Sequence, residues 1–133
     1  MRLATWNVNS LRVRADAVLA WLREAGPDVL ALQETKLTDE AFPHAAMSAA
    51  GYASVYTGQN TYNGVALLSR TPPAQVLTHL PGMEDDPQRR FIAATVGTVR
   101  VVSVYVPNGQ SVGSDKYAYK LRWLEALRAW LAS

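Results

Sequence analysis

The feature that most constrains the fold is a short, uninterrupted apolar run, Val29–Leu32, that directly follows a helix stop. Gly26 and Pro27 form that stop, because glycine readily takes the left-handed conformation after a helix and proline cannot continue the helical hydrogen bonds. An apolar run of this length is too short for a helix and is typical of a strand covered on both faces. We therefore predict a buried strand over residues 28–33.

A strand and a helix precede that run. Residues 2–6, "RLATW", are typical of a short strand, and Ser10 is in position to cap a helix whose apolar residues recur at helical spacing, as at Val18 and Leu22. A strand, a helix and a second strand in this order predict two parallel strands joined by a crossover helix.

The rest of the chain is typical of two helices and four strands: a helix over 42–51, strands over 52–58, 64–69, 91–96 and 99–106, and a helix from Ser114 or Asp115 to the end. Gly97-Thr98 predicts a type II′ hairpin turn, because glycine stands at its first central position. The last helix is expected to use one face for the core, formed by Tyr117, Leu121, Leu124, Leu127 and Leu131. The pattern predicts one α/β domain with a mixed sheet.

Polar side chains follow three of these strands where each strand ends: Asn7 and Asn9, then Glu34, then Tyr105 and Asn108. Ligands of open α/β sheets collect at the carboxyl ends of strands, so these side chains converge if the strands are neighbours in one sheet. One carboxylate with amide oxygens and waters suits Mg²⁺, which keeps much of its hydration shell. The pattern indicates a candidate magnesium site.

Each of these residues also has a plainer interpretation. Glu34 is compatible with a solvated loop, Asn7 and Asn9 with turns, and Asn108 with an ordinary Asn-Gly turn. Tyr105 is compatible with a strand aromatic whose hydroxyl reaches the surface. The spacing alone therefore leaves the site a hypothesis.

Composition sets the outer bounds. The 133 residues are 49% hydrophobic and 18% charged, which is typical of one globular domain. There are no cysteines, which excludes disulfides and thiolate metal sites. No apolar run approaches the roughly 18–20 residues of a membrane span, and the first residues lack a secretory signal, so we expect a cytoplasmic protein without membrane contact. The net charge of +2 is compatible with a polyanionic ligand but does not require one.

Five motifs together show a family resemblance: "TWNVNSLR" at 5–12, "PDVLALQETKL" at 27–37, "YNGVALLS" at 62–69, "QRRFIAA" at 88–94 and "VYVPNGQ" at 104–110. In this order and spacing they resemble the N-terminal half of the exonuclease III type of apurinic/apyrimidinic (AP) endonuclease. That family belongs to the endonuclease/exonuclease/phosphatase superfamily. The resemblance covers essentially the whole chain.

The resemblance implies half of a four-layer α/β sandwich, with a mixed β-sheet and flanking helices. Residues 1–133 then form the N-terminal portion of the domain, truncated relative to the family. Related enzymes pack two sheets face to face, so this half is expected to leave an apolar sheet face uncovered, a surface that favours association.

The resemblance also assigns roles within the site. Glu34 corresponds to the metal-binding glutamate, and Asn7 to an asparagine beside the metal. Tyr105 matches the active-site tyrosine that approaches the scissile phosphate. Asn108 matches a residue that hydrogen-bonds phosphate or DNA.

Three further positions are expected to contact substrate. Lys36 and Arg90 align with family positions and are treated as supporting charges. Asn9 stands where some relatives have an aspartate, so it is expected to be a weaker metal contact.

The implied activity is Mg²⁺-dependent hydrolysis of DNA, with Mn²⁺ as a substitute metal, cutting 5′ of abasic sites in duplex DNA and removing nucleotides from 3′ ends. The family's second half supplies an Asp-x-Asn motif and a late Asp-His pair, and neither occurs after Tyr105. One alternative is therefore an incomplete half-domain that only binds DNA or a partner. Another is a superfamily phosphatase acting on small phosphoesters or lipid headgroups.

Overall fold

A computed structural model describes all residues 1–133 and contains seven strands and three α-helices. The strands are β1 Leu3–Asn7, β2 Val29–Gln33, β3 Ala53–Thr57, β4 Val65–Ser69, β5 Ala74–Leu77, β6 Phe91–Val96 and β7 Val99–Val104. The helices are α1 Leu11–Ala25, α2 His44–Ala49 and α3 Asp115–Ala132, and a single 3₁₀ turn spans Asp39–Ala41. None of the helices combines the length and apolar character needed to cross a membrane.

The first sheet has the order β1-β2-β4-β3 and is mixed. Strands β1 and β2 are parallel and are joined through α1, which confirms the predicted crossover. Strand β4 pairs antiparallel with both β2 and β3. The prediction of a mixed α/β sheet with flanking helices is therefore confirmed for the first four strands.

The later strands form a second, antiparallel sheet with the order β5-β6-β7. The condition under which the strand-end residues were expected to converge, that β7 neighbours β1 and β2 in one sheet, is therefore not met. Strand β5 was not predicted, because its four residues are mostly exposed and directly follow Pro72-Pro73. Between β6 and β7, Gly97 has φ 62° while Thr98 has no positive φ, as the predicted type II′ turn requires.

Three buried clusters define four layers. Helices α1 and α2 cover the outer face of the first sheet, where Leu22 and Met47 pack in one cluster with Leu30. The inner faces of the two sheets pack against each other, with Val29, Ala31, Val65 and Leu67 facing Ile92, Ala94, Val96 and Val101. Helix α3 covers the outer face of the second sheet through Trp123, which is 1% exposed.

The layer arrangement limits the uncovered apolar surface, which was expected to be a whole sheet face, to one side of the sandwich. The two sheets cover most of each other's inner faces and helices pack on the outer faces, while the open side lies where β1 and β7 are edge strands. An open groove of about 430 Å³ runs between β1 and β7. Leu3 beside it is 58% exposed.

The ends of the helices agree only in part with those predicted from the sequence. Gly26 takes the left-handed conformation after α1, and its amide donates to the Leu22 carbonyl, as predicted. Ser114 caps α3 by accepting from the Tyr117 amide at 3.1 Å. Ser10 precedes α1 but its side chain makes no capping hydrogen bond, so the predicted cap is wrong. Its backbone amide instead donates a hydrogen bond to the Glu34 carbonyl.

The core face of α3 is also displaced from the prediction. Leu121 and Leu131 are 50% and 63% exposed, whereas Trp123 is buried and Trp130 packs edge-on against Phe91 at 5.0 Å between ring centroids. The tryptophans remove more apolar area from water than the leucines do, and this decides which face turns inward.

Candidate active site

Glu34 lies in a loop that begins directly after β2 and has an unusual backbone. Glu34 and Lys36 have φ 57° and 56°, a left-handed backbone conformation that residues other than glycine rarely adopt. Such strain persists only where the surroundings fix the chain, and it concentrates at functional sites. The backbone at Glu34 is therefore held in place by its neighbours.

Two flanking loops fix this backbone through hydrogen bonds. On one side, the Ser10 amide donates to the Glu34 carbonyl at 2.8 Å, and the Leu11 amide donates to Thr35 at 3.0 Å. On the other side, the Lys36 amide donates to the Asn63 carbonyl at 2.9 Å. Gly64 packs directly against this loop, since a Cβ added there would lie 2.1 Å from Thr35 Oγ1. We call these contacts from Ser10, Leu11, Asn63 and Gly64 the cradle of Glu34. The carboxylate is presented from a fixed position.

Tyr105 reaches Glu34 from the second sheet. It follows β7 directly, and its hydroxyl donates to Glu34 Oε1 at 3.1 Å. The predicted convergence of the two residues is observed, although it occurs across two sheets and not along one sheet edge. A structural cause for this meeting lies in polar contacts between the sheets: Gln33 Nε2 donates to Ser103 Oγ, which in turn donates to the Leu32 carbonyl.

The surroundings of Tyr105 keep its phenol protonated. Burial raises the pKa of Tyr105, and the hydrogen bond to Glu34 and the negative charge of that carboxylate raise it further. The nearby positive charge of Arg90 opposes these effects. At neutral pH the hydroxyl is therefore a hydrogen-bond donor and not a base.

Asn7, Asn9 and Lys36 gather beside Glu34. Asn7 pairs with Gln33 in the β1–β2 register, one residue before Glu34. Its Oδ1 accepts from the Asn9 amide at 3.1 Å, and Asn9 Oδ1 accepts from Lys36 Nζ at 2.7 Å. Hydrogen bonds therefore link Lys36, Asn9 and Asn7 in a row on the segments that adjoin Glu34.

Asn108 is exposed and lies three residues beyond Tyr105. Its Oδ1 accepts from the Gln110 amide at 2.9 Å, while its Nδ2 donates to no protein acceptor. That geometry leaves the amide group of the side chain available as a donor to a ligand.

Arg90 packs behind Tyr105. Its Nη1 donates to the Tyr105 carbonyl at 3.2 Å, its Nε donates to Gln88 Oε1 at 2.8 Å, and its Cζ lies 4.8 Å from the Tyr105 ring centroid. Sequence reasoning missed Gln33 and Ser103, which join the sheets beside the site. Contacts between sheets leave no periodic pattern in the sequence. The one sequence feature that could have indicated them is the position of Gln33 at a strand end, directly before Glu34.

Comparison with known protein families shows which family the chain belongs to. The model of the Endonuclease/Exonuclease/phosphatase family matches residues 4–133. The chain belongs to the endonuclease/exonuclease/phosphatase family. The membership implied by the five sequence motifs is thereby confirmed.

Two relatives align with nearly the whole chain. Exodeoxyribonuclease III of Haemophilus influenzae is 33% identical over 136 residues, which cover 98% of this chain and 51% of that protein. An AP endonuclease structure from Archaeoglobus fulgidus is 41% identical with a TM-score of 0.93, covering 98% of this chain and 51% of that one.

A third relative, NExo of Neisseria, is 51% identical with a TM-score of 0.93 over 96% of this chain. One structure names it a 3′-5′ exonuclease from Neisseria meningitidis, and another names it a 3′ phosphatase bound to a product DNA hairpin. The chain covers 49% and 50% of those two structures, so it spans about half the length of the relatives it matches.

The side chains of the candidate site can be compared with the ligands that a metal ion requires. No group of three or more His, Cys, Asp or Glu side chains is placed to hold an ion. Glu34 offers one half-buried carboxylate, and Asn7 lies on the neighbouring strand opposite Gln33, the residue before Glu34. Mg²⁺ is commonly held by one or two carboxylates with several waters retained, so these residues fit a hydrated Mg²⁺ and do not form an all-protein cage.

Proposed function

We propose that this chain is the N-terminal portion, residues 1–133, of a DNA-repair nuclease that hydrolyses phosphodiester bonds with Mg²⁺, or with Mn²⁺ as a substitute. Its substrates are duplex DNA with an abasic site, cut on the 5′ side, and DNA 3′ ends. The observation that carries the proposal is the meeting of Tyr105 and Glu34, a protonated phenol and a carboxylate fixed on strained backbone. A cytoplasmic location remains a prediction.

The names of relatives support the substrate class. They include an exodeoxyribonuclease III, an AP endonuclease and a Neisseria enzyme bound to a product DNA hairpin. The last of these shares 51% of its aligned residues with this chain. These relatives favour DNA over small phosphoesters or lipid headgroups as the substrate.

The reaction places two demands on the residues of this half. Negative charge grows on the phosphoryl oxygens, and preorganised donors aimed at that charge lower the barrier. When bound, Mg²⁺ supplies Lewis-acid stabilisation of that charge and of the leaving oxygen. Glu34 and Asn7 would hold the ion, with Asn9 as a weaker contact.

The other polar residues act on the phosphate directly. The Tyr105 hydroxyl and the Asn108 Nδ2 donate hydrogen bonds to its non-bridging oxygens as charge develops. The Lys36 ammonium, held 2.7 Å from Asn9, adds positive charge that attracts the DNA backbone. Arg90 supports the same charge balance from behind Tyr105.

A second candidate function is a half-domain that binds DNA or a partner without catalysis. The observation that favours it is that no three acidic, histidine or cysteine side chains are grouped anywhere in the chain, so Glu34 does not belong to such a cluster. General acid–base assistance typically contributes about 10²–10⁴ in rate, and these residues alone offer no base for water.

A chimaeric protein separates the two candidates. The chain is fused to the C-terminal half of the Neisseria relative and given a duplex with one abasic site, or a duplex with labelled 3′ ends, with and without Mg²⁺. The nuclease proposal expects metal-dependent cleavage that Glu34→Gln abolishes. A folded chimaera that binds DNA but cleaves neither substrate would leave only the binding function.

A further inference from the structure

A second tyrosine shares the guanidinium of Arg90 with Tyr105. Arg90 Cζ lies 4.8 Å from the Tyr105 ring centroid and 5.9 Å from the ring centroid of Tyr119, which stands on α3. Both distances are within the range of cation–π attraction. One cation therefore connects a residue of the candidate site to a helix on the other side of the second sheet.

Tyr119 is itself fixed by the loop before β6. Its hydroxyl donates to Asp86 Oδ2 at 2.5 Å, and Asp86 Oδ1 accepts from the Gln88 amide at 3.0 Å. Gln88 Oε1 in turn accepts from Arg90 Nε. With the cation–π contact between Arg90 and Tyr119, these hydrogen bonds close a ring of four partly buried residues, Asp86, Tyr119, Arg90 and Gln88, in which Gln88 takes part through its backbone N–H and its side chain.

The protonation of Tyr119 suits this arrangement. Burial raises the pKa of Tyr119, and the hydrogen bond and negative charge of Asp86 raise it further. At neutral pH the phenol is therefore a hydrogen-bond donor to Asp86.

We infer that Tyr119 and Asp86 are positioning residues for Tyr105, acting through Arg90. The inference rests on the proposed function of Tyr105 as a donor to phosphate. Neither Tyr119 nor Asp86 lies among the residues expected to touch metal or DNA, and neither contacts Tyr105 directly.

The need for such support follows from what Tyr105 must do. Its hydroxyl has one protein partner, Glu34, and it must leave that partner to donate to a phosphate oxygen. Once that bond is released, the polar contacts that still fix this residue all come from Arg90. Its carbonyl accepts from the Tyr105 amide at 2.9 Å, its Nη1 donates to the Tyr105 carbonyl, and its guanidinium against the ring is the one polar contact left to the Tyr105 side chain. Small errors in the placement of a reacting group cost large factors in rate, so the stack matters most during the reaction.

The chain also contains a matched control. Tyr52 donates its hydroxyl to the Pro27 carbonyl at 2.7 Å, and Arg70 Cζ lies 5.8 Å from its ring centroid. This second arginine–tyrosine pair is at the other end of β2 from Glu34, because both side chains bond the Pro27 carbonyl just before that strand. Tyr52→Phe and Tyr119→Phe therefore each remove one phenol hydroxyl from an arginine-packed ring, but only Tyr119 shares its arginine with Tyr105.

The test is NMR on the chain itself, with ¹³C-labelled tyrosine rings and the Tyr105 signals assigned from Tyr105→Phe. The readout is the nuclear Overhauser effect between the Tyr105 ring and the Arg90 side chain, with the Tyr105 line width. Tyr119→Phe and Asp86→Ala are expected to weaken that effect at least twofold and to broaden Tyr105. Asp86→Asn, which keeps a polar partner for the Tyr119 hydroxyl, is expected to restore both. Tyr52→Phe should leave Tyr105 unchanged.

Two results would overturn the inference. In one, Tyr105 keeps its contacts in folded Tyr119→Phe and Asp86→Ala; in the other, Tyr52→Phe disturbs Tyr105 as strongly as they do, which indicates general loosening. Because this readout needs no substrate, it is independent of catalysis. Failure of the chimaera to cleave DNA removes the proposed function without changing the NMR result, so the two failures are distinguishable.

Discussion

Gln33 donates from Nε2 to the Ser103 hydroxyl at 3.1 Å, and this is one of two hydrogen bonds by which Ser103 joins the two sheets beside the candidate site. The same amide donates to Thr5 Oγ1 at 2.9 Å. Apolar packing is non-directional, so it holds two sheets together without fixing how they slide past each other. Directional bonds at this end of β2 and β7 therefore set the separation of Glu34 from Tyr105.

Ser103→Ala tests that role. Ser103 is 1% exposed and donates to the Leu32 carbonyl at 3.0 Å, so its removal is expected to lower the free energy of unfolding by about 1–2 kcal/mol. Urea unfolding measures the loss. An unchanged unfolding free energy would show that the bond between the sheets contributes nothing to the packing.

Gly64→Ala is expected to damage the cradle of Glu34. The added Cβ would lie 2.1 Å from Thr35 Oγ1 and 3.2 Å from the Lys36 amide nitrogen. Gly51→Ala is the matched control, because its φ of +93° is close to the +95° of Gly64 and nothing lies within 4 Å of the added Cβ. We expect Gly64→Ala to cost about 1–3 kcal/mol more than Gly51→Ala in unfolding free energy. Equal costs would mean that the cradle is not tightly packed.

Glu34→Gln is expected to weaken Mg²⁺ binding without unfolding the chain. The change removes one negative charge but keeps an oxygen that accepts from the Tyr105 hydroxyl. Loss of an outer partner of a metal typically costs about 10–100-fold in affinity, so loss of a direct ligand should cost at least about tenfold. Isothermal titration calorimetry measures the change, with Glu24→Gln on the exposed face of α1 as control. Equal affinities for Mg²⁺ in the two variants would remove Glu34 from the metal site.

Tyr105→Phe in the chimaeric enzyme is expected to lower kcat by about 10²–10³ while KM for DNA changes little, because the lost donor acts mainly in the transition state. This loss corresponds to about 2.7–4 kcal/mol. Steady-state kinetics on the abasic duplex make the measurement, and Tyr62→Phe, at a tyrosine that is 68% exposed, serves as the control. Normal kcat in a stable Tyr105→Phe protein would return Tyr105 to a purely structural role.

The 133-residue chain by itself is expected to bind DNA weakly, in a salt-sensitive manner, and not to cut it. Its site holds one carboxylate and no grouped acid or histidine that would activate water. The assay uses the purified chain, a duplex with one abasic site, and Mg²⁺. Multiple turnovers that disappear in Glu34→Gln would prove this expectation wrong and would show that a smaller set of residues suffices.

Much of the site was predictable because it lies at the ends of the first strands. The stop at Gly26-Pro27 and the buried run that follows fix β2, and β2 places Glu34 at a strand end. The site residues then followed from the five motifs. The left-handed backbone at Glu34 and Lys36 was not predictable, since both are residue types that disfavour it.

The second sheet was not predictable from the pattern of β6 and β7. Four of the first five positions of β6 are buried, so its apolar run fits either sheet equally well. Its partner is chosen by packing between residues distant in sequence, as where Ile92 meets the inner face of the first sheet. The inward face of α3 failed for a related reason, because two apolar stripes share that helix and the larger side chain, Trp123, decides between them.

The open side of the sandwich bears on how the longer relatives fold during synthesis. A segment like this one has all four layers and three cores within its own residues, so its packing does not wait for strands made later. Domains generally fold as units, with the N-terminal part first. In a relative twice this length, the segment emerging first from the ribosome would then present two finished strand edges, β1 and β7, as ready templates on which the remaining strands are laid down.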